Sequence, residues 1–400
     1  MTSHSRPELP ASSGRRVLLP PVARVLICPA SFKGSLSAAE AAEAMALGVS
    51  DTLPHASIDV LPLSDGGEGL VSVLAPALRA GIRTSTVQGP LASQRVDAQW
   101  AMTADRSTAV LEMASAAGIM LVPEPRRDPR FTTTYGVGEL IVHALDAGAS
   151  HILLGLGGSA TNDGGTGMAR ALGYRFTDSR GCPIAEGGDA IRFLCHIDSS
   201  HVDRRLDAVS VTAACDVANP FFGSEGATMV YAPQKGARPE HLELLDQGLK
   251  TLANVILNDC GCDIASLPGS GAAGGMGGGV VAFLHGRLKR GIDIVLDTLE
   301  FDAHLRAATI VITGEGKLDE QTRHGKVING VTGKARTAGV PVAAVVGTAD
   351  TIGAESLQSF GLADLETLTS PHVSVEQAIL NAATLIRART GALLQRLAQP

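Results

Sequence analysis

Asp and Lys recur among glycines just past short apolar runs, and that residue mix suits the binding and transfer of phosphate. Lys33 stands in Pro29-Ala30-Ser31-Phe32-Lys33-Gly34-Ser35 after the run 24–28, and Asp65 opens Asp65-Gly66-Gly67-Glu68-Gly69 after the run 58–63. Asp163 closes Gly155-Leu156-Gly157-Gly158-Ser159-Ala160-Thr161-Asn162-Asp163, which grows out of the run 151–155. Asp216 follows the run 209–214, and Glu315, Lys317 and Asp319 lie in Thr313-Gly314-Glu315-Gly316-Lys317-Leu318-Asp319 after 309–312. Lysines and backbone amides neutralise phosphate charge, while carboxylates hold a metal–nucleotide and accept a hydroxyl proton. Lys33 and Lys317 are therefore expected to carry charge. Asp319 is the candidate base with Glu315 as its rival, and Asp65, Asp163 and Asp216 are candidate metal ligands. Asp65 and Asp216 could equally serve an Asx turn or a helix cap.

The run 155–160 is close to G-x-G-x-x-G/A, and Asp178 loosely supplies the acid expected about 20 residues on. A dinucleotide site would make the chain an NAD(P)-dependent reductase of a small hydroxy acid. A phosphate cradle for a nucleotide uses the same glycines without a nicotinamide, and a non-catalytic nucleotide-binding regulator is a third reading. The sequence contains no G-x-x-x-x-G-K-[ST], no H-R-D-L or D-F-G, no G-x-S-x-G and no H-E-x-x-H. P-loop, protein-kinase, α/β-hydrolase and zincin readings fall away with them.

The elements that must position these residues alternate. Short β-branched runs are followed by helical patterns, which points to an α/β architecture. Ser37 with Glu40 spells a capping box for a helix ending near Gly48. Helices are expected over about 136–147, 239–257, 330–338 and 374–397, and residues 82–112 alternate as antiparallel strands do. At 400 residues with 45% hydrophobic content the chain suits two domains. The expected division is a flexible extension 1–22, a doubly wound, mostly parallel (Rossmann/flavodoxin-like) domain from 23–81 with 289–400, and a second α/β domain inserted over 82–288.

A net charge of −7 with one Trp, three Tyr and nine Phe leaves no basic, aromatic-studded surface for nucleic acid. The uncharged stretch 264–284 holds seven glycines and a proline, so it reads as a loop and buried helix rather than a membrane span. Six cysteines without metal or disulfide spacing fit a reducing cytoplasm.

Seven strings together carry a resemblance. They are 31–35 and 65–69; 157–165 (Gly-Gly-Ser-Ala-Thr-Asn-Asp-Gly-Gly); Ala214-Cys215-Asp216-Val217 with Asn219-Pro220; Pro233-Gln234-Lys235-Gly236-Ala237; 271–279 (Gly-Ala-Ala-Gly-Gly-Met-Gly-Gly-Gly); and 313–319 with Gln321-Thr322. In this order, from about residue 23 to the C-terminus, the chain resembles the bacterial type 1 glycerate kinases. Ala30 departs from the Asp that the family places before Ser-Phe-Lys-Gly. The resemblance implies ATP-dependent phosphorylation of D-glycerate in a cleft between two α/β domains, with 2-phosphoglycerate as product and 3-phosphoglycerate as the outcome in a neighbouring family. On that reading ATP and Mg²⁺ are the cofactors and the chain is a monomer or homodimer. Gly157, Gly158, Ser159, Thr161, Gly275 and Gly277 then hold the nucleotide, Ser31, Ser35, Asn162, Glu315 and Gln321 the substrate, and Lys33, Lys317 and Asp319 the chemistry.

Overall fold

The apolar runs become strands, numbered along the chain: β1 (Arg24–Ile27), β2 (Ser57–Val60), β3 (Ala80–Gln88), β4 (Arg95–Thr103), β5 (Thr108–Glu112), β6 (His151–Gly155), β7 (Arg175–Thr177), β8 (His196–Asp198), β9 (Ser210–Ala214), β10 (Arg287–Lys289), β11 (Ile310–Leu318), β12 (Val342–Ala349) and β13 (Asp364–Thr367). Between them run α1 (Ala38–Thr52), α2 (Leu70–Ala77), α3 (Met113–Ala117), α4 (Tyr135–Asp146), α5 (Thr166–Ala171), α6 (Ala227–Tyr231), α7 (Pro239–Cys260), α8 (Ala272–Leu284), α9 (Gly291–Thr298), α10 (Phe301–Ala307), α11 (Val327–Ala338), α12 (Val375–Leu380) and α13 (Ala382–Ala398). This computed structural model describes residues 23–67, 69–318, 327–349, 357 and 359–398. The expected extension 1–22, and Asp319 and Gln321 among the expected site residues, lie outside the described residues.

The chain divides into two units, one of residues up to Leu63 with those from Glu300 onward, the other Ser64–Leu299. In the first, five parallel strands stand in the order β2-β1-β11-β12-β13. That is the doubly wound 2-1-3-4-5 order. Val25, Ile27, Ile310, Ile312 and Val345 point to one face and pack with Met45 and Val49 of α1 and Ile386, Leu393 and Leu394 of α13. Their neighbours Leu26, Val311 and Val346 point to the other face, and α10 and α11 pack on β1, β11 and β12. Both faces being covered explains why these strands read as unbroken apolar runs.

Ser37 caps α1 and Glu40 completes the box, Ser37 N donating to Glu40 Oε2 at 2.8 Å. The helix then runs past Gly48 to Thr52. Gly48 is a contact point with α13, where a Cβ would sit 2.9 Å from Thr390 Cβ and collide with the Arg387 carbonyl. The C-terminal helix expected over 374–397 is two helices, parted at Asn381.

The second unit is built on a six-stranded sheet in the order β10-β9-β6-β5-β4-β3. The hairpin partners β3–β4 and β4–β5 are antiparallel, as the alternation over 82–112 predicts, while β5, β6, β9 and β10 run parallel. The stretch 264–284 does end in a buried helix, α8, with Met276, Val280 and Phe283 in the core. Where the sequence expectation put residues 64–81 and 289–299 with the first domain, the structure packs them in the second unit. Val71 N on α2 donates to Glu112 Oε1 at 2.6 Å, and α9 packs on β9.

Candidate active site

In open parallel sheets ligands meet the carboxyl ends of strands where the winding reverses. In the first unit that point lies between β1 and β11. Past β1 the chain turns through Pro29–Ser35, held by Phe32, which is buried and exchanges backbone bonds with Leu36. Ala30 N donates to Gly314 O at 2.8 Å, and a Cβ on Gly316 would approach Lys33 N to 3.3 Å. The first expected motif and the 313–318 motif thus lie side by side. Lys33 and Lys317 are exposed, Ser31 and Ser35 are half-buried, and Glu315 is buried. Ser35 Oγ donates to Ile379 O at 3.1 Å. Alternation along a strand places Glu315 and Lys317 on one face.

The segment 313–318, expected as a loop, is strand. Its glycines misled because they are what lets β12 come close: a Cβ at Gly314 would collide with the Val345 carbonyl, and one at Gly347 with the Gly316 carbonyl. The strand delivers Glu315 and Lys317 to the edge with little freedom.

In the second unit β6 ends at Gly155 and opens a turn, 156–165. Among the described residues the amides of Gly157, Gly158, Ser159, Thr161, Asn162 and Asp163 donate to no acceptor. Gly158 is exposed and left-handed, with φ +76. Successive unclaimed N–H groups of this kind form a nest for anions. The helix that follows, α5, begins only at Thr166 and is six residues long. A Rossmann pyrophosphate rests on a helix opening inside the fingerprint, so the reductase reading loses its structural support.

Beside the turn sits a pair of carboxylates. Asp65 Oδ1 accepts from Gly67 N at 3.2 Å, and a Cβ on Gly157 would stand 2.6 Å from Gly67 Cα. Gly157 is therefore small so that the Asp65 loop can press against the turn. Asp216, past the end of β9, accepts from Gly291 N at 2.8 Å. Burial and then the charge of Asp65 push its carboxyl up to about 7, with the Gly291 bond and Arg290 acting the other way.

Asp163 is not with them. Among the described residues no three His, Cys, Asp or Glu groups gather as a metal set. Its Oδ2 accepts from Thr134 N and Oγ1, both at 2.8 Å, and from Gly167 N at 3.3 Å, while Oδ1 accepts from Gly165 N at 3.2 Å. Burial holds the carboxyl above its ordinary range against these donors. These bonds give Asp163 a folding role: it ties the turn to the starts of α4 and α5.

The other expected nucleotide and substrate residues divide. Ser159 is buried, and Thr161 and Asn162 are fully enclosed, Asn162 Nδ2 donating to Thr228 Oγ1 at 3.0 Å. Gly275 and Gly277 touch the protein's own atoms where phosphate contact was expected. A Cβ at Gly275 would lie 2.9 Å from Gly164 Cα, and one at Gly277 would collide with the Gly269 carbonyl. The sequence reading gave no role to Lys235, whose amine donates to Ser159 Oγ at 2.8 Å and Thr161 O at 2.7 Å while 3% exposed. Burial pushes that amine down to about 7, opposed by the charge of Asp163. Flanking Pro233 and Gly236 mark a turn, where a lysine is ordinarily solvated, so only the fold discloses it.

Comparison with known proteins places the chain in a family. The model of the Glycerate kinase family matches residues 25–398. A glycerate kinase of Halalkalibacterium halodurans is 42% identical over 90% of this chain and 95% of its own length. A glycerate 2-kinase of Escherichia coli K12 is 44% identical over 81% and 85%. The crystal structure of a Salmonella typhimurium LT2 protein bearing the name glycerate kinase 2 superposes with a TM-score of 0.80 at 44% identity, covering 93% of this chain and 97% of that one. With a family model spanning both units and relatives this similar, the chain belongs to the glycerate kinase family.

Proposed function

We propose that the protein transfers the terminal phosphoryl group of ATP to D-glycerate and that 2-phosphoglycerate is the product. The observation that carries this reading is the carboxylate pair Asp65–Asp216 pressed against the amide-lined turn at 157–163. Hard oxygen donors, two in number, suit Mg²⁺, which keeps one or two carboxylates and takes its other ligands from phosphates and water. Asp65 and Asp216 would hold it, and bound Mg²⁺ would offset charge on the nucleotide phosphates. The amides of Gly157, Gly158 and Ser159 receive phosphate oxygens. Ser31, Ser35, Glu315 and Gln321 are assigned to glycerate, Lys33 and Lys317 to charge neutralisation, and Asp319 to the hydroxyl proton. Thr161, Asn162, Gly275 and Gly277 support the turn from beneath.

The identity of the E. coli relative as a glycerate 2-kinase supports the position of the new ester. No described helix is long and apolar enough to cross a membrane. The six cysteines are unpaired, which supports action in a reducing cytoplasm. A coupled ADP-release assay tests the reading: ADP should form with ATP, Mg²⁺ and D-glycerate together and fall to background without glycerate. Oxidation of NAD(P)H in place of ADP release would restore the reductase.

A further inference from the structure

Lys235 is out of place for a lysine. It is 3% exposed, and the two groups its amine reaches, Ser159 Oγ and the Thr161 carbonyl, are neutral. Such burial is costly unless the charge is both paired and hydrogen-bonded. The backbone around it is fixed: Lys235 N donates to Ala232 O and Ala237 N to the same oxygen, and Gly236 is left-handed against the Arg127 carbonyl. The same segment grips the turn a second time through Thr228, which accepts from Asn162 Nδ2.

An ammonium only donates. In that form Lys235 donates to Ser159 Oγ at 2.8 Å, which sends the hydroxyl's own proton away from the amine. Among the described residues that proton has no acceptor. The Thr161 carbonyl also points to the amine, and in a trans peptide the Asn162 N–H points the opposite way, again without an acceptor. One buried amine thus polarises one hydroxyl and orients one peptide so that both donors face away from it.

We propose that Lys235 is a positioning residue for the nucleotide phosphates: it fixes Ser159 as a hydroxyl donor and holds the buried 161–162 peptide in place behind it. The inference rests on the kinase reading above and deepens it, because it makes Ser159 a phosphate ligand and Lys235 its orienting group.

Steady-state kinetics of Ser159→Ala, Ser159→Thr, Lys235→Met and the double variant S159A/K235M test it, with ADP binding followed by calorimetry. Loss of a hydrogen bond to a charged group is worth about 10- to 100-fold. Ser159→Ala and Lys235→Met should each raise KM for ATP and weaken ADP by about tenfold or more, leaving KM for D-glycerate nearly unchanged. Ser159→Thr, which keeps the hydroxyl, should bind ADP more tightly than Ser159→Ala. The double variant should be no worse than Lys235→Met alone, since Lys235 acts through Ser159. Should Lys235→Met fail to fold, the Ala and Thr variants at Ser159 still decide. Unchanged ADP affinity in Ser159→Ala overturns the inference. So does a rise in KM for D-glycerate alone, or equal losses for both substrates with a lowered Tm, which would mark a purely structural lysine. Wild-type turnover and ADP binding in the same experiments test the kinase reading itself, so failure of one is told from failure of the other.

Discussion

Asp216→Asn is expected to lower kcat by about 10²- to 10³-fold in a protein that stays folded, because a metal-binding carboxylate supplies several kcal/mol of charge stabilisation. Asp65→Asn should behave alike, since the proposal has the two carboxylates hold one cation. The structure separates this loss from unfolding. Burial and the charge of Asp65 raise the Asp216 carboxyl to about 7, so the ionised group is held at a cost, and its removal should leave Tm unchanged or higher at pH 8 without Mg²⁺. Asp163→Asn should do the reverse, lowering Tm because its carboxylate collects four donors from the turn and from Thr134. Activity within threefold of wild type in Asp216→Asn, measured at saturating Mg²⁺, would remove the pair from the mechanism.

The second large effect is expected at the end of β11. A glycerate hydroxyl is a poor nucleophile until its proton has an acceptor, and loss of a general base costs roughly 10²- to 10⁴-fold. Asp319→Asn should lower kcat within that range while KM for ATP changes little. It should also flatten the acidic limb of the kcat–pH profile. Lys317→Ala should lower kcat/KM through lost charge neutralisation. Lys317 stands exposed on a strand whose partner β12 is bound along seven residues, so its truncation should not disturb folding. A near-normal kcat in folded Asp319→Asn would transfer the base to Glu315, which shares a face of β11 with Lys317 and is buried.

Strand ends were the most legible part of the sequence. The unbroken apolar runs at 24–28 and 151–155 announce strands covered on both faces, and the Ser37–Glu40 box marks the start of α1 to the residue. Glycine was the least legible. At Gly158 it opens a turn, at Gly314 it lets a neighbouring strand approach, and at Gly277 it lets a helix meet a loop. The letter is the same in each case, and only the partner across space differs. Charged residues behaved similarly. Asp65 and Asp163 both sit in glycine-rich turns, yet Asp65 neighbours Asp216 while Asp163 is consumed by donors of its own surroundings. Lys235 resembled a solvated turn lysine because nothing local shows the Ser159 and Thr161 oxygens more than seventy residues away in sequence. The division between the units was misplaced for the same reason. Helix α2 has apolar residues suited to either core, and it is Glu112, distant in sequence, that takes its first-turn amide.

The most direct measurement is ³¹P NMR of the reaction of ATP, Mg²⁺ and D-glycerate, with the ADP formed counted in parallel. The account predicts one phosphate monoester, on the C2 oxygen, in a 1:1 ratio with ADP. It predicts also that the resonance is absent when Asp216→Asn replaces the wild type for the same time. ADP release that does not depend on glycerate, or the absence of any new ester, would contradict the account, and an ester on C3 alone would contradict the assigned product.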